Sequence, residues 1–195
     1  QSSNREWSMA VNDAVNLVPT ISGTANQIAV TQAAGTSTAS VGTASTQLST
    51  TQPMFFAHLT TNPTNETGDG TVYTIICDSA PLNQGSHYST GTGIFTAPVD
   101  GNYIFNAQTI MSSLTSTLTS ISFNLLATSF NYRLFYTTVP QPVSISPKLG
   151  GCIIINMTAG DTARMQITAS GGTKTVGVLG DSPTVNTHFS GFLLH

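Results

Sequence analysis

Charge is what this sequence has least of. Asp, Glu, Lys and Arg make up 7% of its 195 residues, against roughly 25% in an average soluble domain. The net charge of -3 comes from five basic and eight acidic residues, and the first lysine is Lys148. With no basic stripe to neutralise a phosphate backbone, nucleic acid is not an expected partner. No apolar run reaches the roughly eighteen residues of a membrane-spanning helix, so direct membrane insertion is not expected either. The chain opens on Gln1 with neither an initiator Met nor the basic and apolar regions of a signal peptide, and is expected to be a fragment of something larger.

Catalytic patterns are missing as well. There is no Gly-x-Ser-x-Gly elbow, no His-Glu-x-x-His, no Gly-rich phosphate loop before Lys-Ser or Lys-Thr, and no Cys-x-x-Cys. Enzymes converge titratable groups, whereas the four histidines and eight carboxylates here follow no pattern, so the expected protein is not an enzyme and takes no cofactor. Cysteine is scarce: Cys77 and Cys152 both sit in strand-like apolar runs. A bridge in an exported protein and two buried small hydrophobes both fit that placement, and the spacing leaves the choice open.

What is abundant is hydroxyl. Ser and Thr exceed a quarter of the chain, and Gly, Pro, Asn and Ser interrupt β-branched stretches at short intervals. Many short strands joined by turns are written this way, so the chain reads as all-β with a neutral surface. So few charges leave sheet edges unprotected against pairing, and closure or oligomerisation removes that hazard.

The chain divides at about residue 52. Residues 1–52 hold few aromatics and few large apolar side chains and cannot bury enough to fold alone. Trp7, Val11 and Val15 would share one face of a short helix over 7–18 that Pro19 ends. Ile28 and Val30 alternate with polar neighbours behind a Gly-Thr-Ala-Asn turn, as in a short strand. The phrase Ile21-Ser22-Gly23-Thr24-Ala25-Asn26-Gln27-Ile28 resembles the shaft repeats of phage tail fibres and of mosaic adhesive trimer fibres of bacteria, which implies a fibre shaft; a polar linker is the alternative. Residues 53–195 are dense in strand signals. The candidate strands are 54–59, 71–77, 93–96, 102–111, 120–128, 132–138, 152–157, 162–167 and 187–194, which suits a two-sheet jelly roll.

Within that part, Asn83 is followed by Tyr88, then Phe95, then Gly101-Asn102-Tyr103-Ile104-Phe105. Downstream come Gly160-Asp161 between two strand-like runs, and the ending Phe189-Ser190-Gly191-Phe192-Leu193-Leu194. This succession resembles the globular heads of complement C1q and the related tumour-necrosis-factor jelly rolls, over residues 53–195. The roles of these residues are ones of core and turn. Phe95, Tyr103 and Phe105 supply inward faces, Gly101 follows Asp100 in a turn where positive φ is tolerated, and Gly191 lets a neighbouring backbone approach. Departures exist: Ile76 and Cys77 stand where the family has Ala-Phe, and Ala107 where it has an aromatic. The resemblance implies a ten-stranded jelly roll in a homotrimer, with an N-terminal stalk and recognition by loops at the far end. A fibre tip on a bacterial surface, secreted, or on a virion is the expected extracytoplasmic setting.

The candidate ligand site is Phe130-Asn131-Tyr132-Arg133-Leu134-Phe135-Tyr136. Strand alternation puts Tyr132, Leu134 and Tyr136 on one face and Arg133 and Phe135 on the other. Tyr132, Arg133, Phe135 and Tyr136 would stack on a sugar or grip a protein; the competing reading gives one face to the core and the other to a subunit contact. His58, His87, His188 and His195 read as strand or loop residues, not metal ligands. Glu66, Asp69 and Asp78 match no calcium loop and read as a solvated turn, so no metal is assigned. Asn65-Glu66-Thr67 and Asn156-Met157-Thr158 are glycosylation sequons in form. The expected function is a fibre-tip adhesin binding a surface glycan or protein. Alternatives are a structural trimerisation cap without a ligand and a soluble signalling ligand, the latter poorly served by the absence of a collagen-like stalk.

Overall fold

The computed structural model describes residues 28–33, 36–41, 52–128, 130–138, 146–180 and 183–194. The expected helix over 7–18, the shaft-like phrase before Ile28 and His195 lie outside them. The chain falls into two compact units, Gln1–Leu48 and Ser49–His195. In the first, β1 (Ile28–Ala33) pairs antiparallel with β2 (Thr36–Val41), from Ile28 opposite Val41 to Ala33 opposite Thr36.

The second unit is built from strands, with no helix among the described residues. They are β3 (Met54–His58), β4 (Val72–Thr74), β5 (Ser79–Gln84), β6 (Tyr88–Ser89), β7 (Ile94–Thr96), β8 (Gly101–Ser112), β9 (Ser120–Ala127), β10 (Asn131–Thr137), β11 (Lys148–Met157), β12 (Thr162–Ser170), β13 (Gly177–Leu179) and β14 (His188–Leu194). Two antiparallel sheets result. Sheet I runs β10-β9-β12-β7-β6 with β4 on β12; sheet II runs β11-β8-β14-β3-β5 with β13 on β8. The expected all-β jelly roll is the fold observed.

Period-two patterning explains the layers. Strand β9 buries Ile121, Phe123, Leu125 and Ala127, and β12 buries Ala163, Met165, Ile167 and Ala169, while their even-numbered neighbours face outward. Between the sheets the aromatic rings stack: Phe55 lies 5.0 Å from both Tyr88 and Phe95, and Phe105 lies 5.5 Å from Phe95 and 5.6 Å from Phe189. Offset and edge-on contacts of this kind add about 0.5–1.5 kcal/mol per pair to the burial itself.

Several expectations change. The run 71–77 is a strand only over β4; residues 75–78 leave the ladder, Ile75 N–H donates to the Met165 carbonyl (3.1 Å), and the chain re-enters as β5, which escaped notice. Pro81 in β5 is tolerated because that strand is a sheet edge. The short β6 and β13 were also missed. Gly101 has the expected positive φ (158°), and glycine also provides room there, since a Cβ would come 2.5 Å from the Leu193 side chain. Gly191 behaves as expected: a Cβ would meet the Phe105 ring at 2.6 Å and the Ile104 carbonyl at 3.0 Å. Cys77 is buried and Cys152 exposed, and both are free thiols, which closes the question of a bridge.

Candidate functional site

The aromatic segment forms β10, the edge of sheet I. Its alternation breaks at Leu134, where a bulge lies between Arg133 opposite Asn124 and Phe135 opposite Phe123. The expected faces are therefore wrong. Tyr132 and Phe135 share the inner side and pack on the core with Leu134, whereas Arg133 and Tyr136 share the outer side. The Arg133 guanidinium lies 4.4 Å from the Tyr136 ring centroid, a cation–π contact, and Tyr136 keeps 48% of its surface exposed. Phe130 is more exposed still, tilted against Tyr132 at 5.9 Å. A cleft of about 50 Å³ opens between Phe130, Tyr132, Asn156 and Asp161. That is room for little more than water, against the roughly 300–1,000 Å³ of small-molecule pockets.

The outer faces of the two sheets differ. On sheet II one register row runs Ile154–Ile104–Phe192–Met54 across β11, β8, β14 and β3, with Phe56 opposite Leu82 in the next. Ile154 is 58% exposed, Leu82 44% and Phe192 43%. On sheet I the row is Arg133–Asn124–Gln166–Thr74 across β10, β9, β12 and β4, followed by Tyr136–Ser122–Thr168–Val72. Ser122 donates to Asn124 Oδ1 (2.9 Å), and Gln166 to Thr74 Oγ1 (3.3 Å). Sequence reasoning missed Asn124, Gln166 and Ser122 because their partners are set by pairing, not by spacing along the chain.

The signature residues do structural work. The Asn83 amide donates to the Tyr88 carbonyl (2.8 Å) and accepts from the Tyr88 N–H (3.1 Å), closing the turn between β5 and β6. The Tyr88 hydroxyl is held between the backbone N–H and carbonyl of Cys77, at 3.1 and 3.2 Å. Burial pushes the Cys77 thiol up to about 12 and raises Tyr88 further, so neither ionises near neutrality. Gly160 takes φ 93° in the turn where Asp161 accepts from Thr158 N–H (2.9 Å). Phe95, Tyr103, Phe105 and Phe189 are fully buried, while Phe192 points outward.

These features, read in order along the chain, match the C1q domain over residues 54–194. The chain belongs to the C1q domain family. Among solved structures, this C1q domain is similar to the globular domain of zebrafish complement 1qA protein, at 18% identity and a TM-score of 0.54, covering 74% of this chain and 98% of that one. Murine APRIL at pH 8.5 is similar at 10% identity and a TM-score of 0.50, covering 73% and 99%. Eiger TNF from S. frugiperda is similar at 15% identity and a TM-score of 0.50, covering 74% and 93%. At such identities the likeness is one of fold. No curated protein matches the chain in sequence.

The remaining candidate groups of this C1q domain are separate. The Asp69 carboxylate accepts the Thr71 N–H (3.0 Å) and Asp78 accepts the Thr60 N–H (2.7 Å) and hydroxyl (2.6 Å). The Thr71 bonds hold Asp69 below the usual carboxylate range. At Asp78 burial pulls upward and the Thr60 bonds prevail, lowering it. His58 and His188 are cross-strand neighbours on sheet II that flank Phe56 at 6.1 and 5.7 Å. His188 lies 3.4 Å from Asn106 Oδ1, and burial and then Lys148 lower its pKa. His87 is half-buried in the β5–β6 turn. Asn65 is exposed at φ 62°, and Asn156 donates to Asn102 Oδ1 (3.0 Å).

Proposed function

We propose that this C1q domain is the non-enzymatic recognition head of a homotrimeric fibre, with residues 1–52 as the shaft, displayed outside the cytoplasm on a bacterial surface or virion. The observation that carries the reading is the apolar row Ile154–Ile104–Phe192–Met54 on the outer face of sheet II. Water has little reason to be left against such a contiguous patch, and exposed patches of this kind mark protein contacts. Self-association, as family membership implies, covers it. The head then holds three copies of any ligand site, and linkage raises effective concentration so that weak single sites suffice. Arg133 and Tyr136 are the outward members of the proposed ligand segment, for a glycan or protein on another surface. Tyr132 and Phe135 support them from the core side.

The same apolar row favours a second reading, a trimerisation cap that needs no ligand. Light scattering on the chain with and without residues 1–52, followed by a glycan array, separates the two. A mass of three protomers for both, with glycan signal, supports the recognition head. Three protomers with a blank array leaves the cap or a head whose ligand is a protein. A stable monomer of residues 53–195 sinks both.

A further inference from the structure

None of the six strands of sheet I carries Asp or Glu, and their only charged side chains are Arg133 and Arg164. In a chain of net charge -3 this sheet is therefore a local cation. The two arginines sit diagonally across β9: Arg133 faces Asn124, and Arg164 faces Leu126 two residues on. With strands about 4.8 Å apart and a rise of about 3.4 Å per residue, their Cα atoms stand about 12 Å apart. Among the described residues no carboxylate pairs with either one: Arg133 lies over the Tyr136 ring, and Arg164 Nε is buried with no acceptor.

Between and beside them, the outer face offers amides and hydroxyls: Asn124, Gln166, Ser122 and Thr168. Such groups both donate and accept, which is what sugar hydroxyls require, while Tyr136 supplies an exposed ring for a sugar's C–H face. The apolar residues of this face, Leu126 beside Arg164 and Val72 on β4, flank a polar middle of Asn124, Gln166, Ser122 and Thr168, whereas a protein partner would ask for an apolar centre, and two cations are too few to hold a nucleic-acid backbone. Guanidinium groups match carboxylate and sulfate in planar, two-pronged geometry.

We infer that the outer face of sheet I binds an acidic glycan, with Arg133 and Arg164 on its anionic groups and Asn124 and Gln166 on its hydroxyls. This rests on the recognition-head reading and names its ligand class. The site lies on strands, away from the apolar row of sheet II, so it survives trimer formation through that row.

The test uses the full chain, with trimer mass checked for each variant. A sulfated heparin-derived octasaccharide and the carboxylated sialyllactose are titrated against neutral lactose and a poly-glutamate peptide. Acidic sugars are expected to bind at least about tenfold more tightly than lactose, because hydrogen bonds to charged groups are worth about one such factor or more. Arg133→Ala and Arg164→Ala should each lose about tenfold, and Gln166→Ala a smaller factor. Whichever of the two acidic sugars binds identifies the preferred anion. Equal binding of lactose, unchanged by the arginine variants, overturns the acidic-face inference while leaving a glycan-binding head in place. Poly-glutamate binding as well as the sugars also overturns it, reducing the face to bare charge. No binding to any sugar by an intact trimer overturns the inference and the glycan form of the recognition reading, leaving a protein-binding head or the cap.

Discussion

The two sheets bury nearly interchangeable inner faces and present opposite outer ones. Inward, Phe123 and Leu125 of sheet I meet Phe105 and Phe189 of sheet II in one core. Outward, a four-strand row reads Ile154–Ile104–Phe192–Met54 on sheet II and Arg133–Asn124–Gln166–Thr74 on sheet I. The core pattern defines a fold that many proteins share; the outer rows are free to vary and carry what distinguishes this head. Sheet II presents an apolar row outward, and sheet I keeps the middle of its own face polar.

The largest effect should come from charging the apolar row. Phe192→Asp combined with Ile154→Asp places two carboxylates where the proposed subunit contact excludes water, and a buried unpaired charge is strongly destabilising to a contact. The expected outcome is a fall from three protomers to one in light scattering, with the β-sheet circular dichroism unchanged. Thr168→Asp on sheet I serves as the matched control and should leave the mass at three. Loss of trimer in the control alone would reverse the assignment of the two faces.

Smaller, but shared by both sheets, is the effect of opening the aromatic core. Phe105 touches Phe95, Tyr103 and Phe189 and fills the space that Gly191 leaves. Phe105→Ala should lower unfolding free energy by about 3–5 kcal/mol in urea titrations. Phe192→Ala, on the same sheet but facing out, should cost the isolated protomer under about 1 kcal/mol, as surface substitutions do. Similar losses for the two would mean that Phe192 belongs to the core.

Much of this was legible beforehand, and the failures share a cause. Strands with strict alternation, such as β8, β9 and β12, are visible because burial on one face forces period two. Asn83, Tyr88 and Gly191 were visible as a spaced set, and their roles follow from contacts across the sandwich. What escaped depends on pairing. Strand β5 contains Pro81 and survives as an edge held by β3; β13 is three residues held by β8. At Leu134 a single bulged residue inverted the parity of Phe135 and Tyr136, so the expected division of the segment into two faces was half wrong. Asn124, Gln166 and Arg164 lack any local signal and join Arg133 only through ladder register.

The two cysteines offer the finest probe of the contrast, because one reports the interior and the other an outer face. Cys77 is fully buried, its thiol pushed up to about 12 by burial, so at pH 8 it offers neither access nor thiolate. Cys152 faces outward on β11, opposite Asn106 and two residues from Ile154. If sheet II is the subunit contact, Cys152 is shielded in the trimer and uncovered by the Phe192→Asp, Ile154→Asp pair. Maleimide labelling followed by mass spectrometry should then give slow modification in the native protein and one fast site in the charged variant, with Cys77 unmodified in both until denaturant is added. Fast labelling of Cys152 in an intact trimer would move the subunit contact off this face while leaving the sandwich, and its sealed Cys77, untouched.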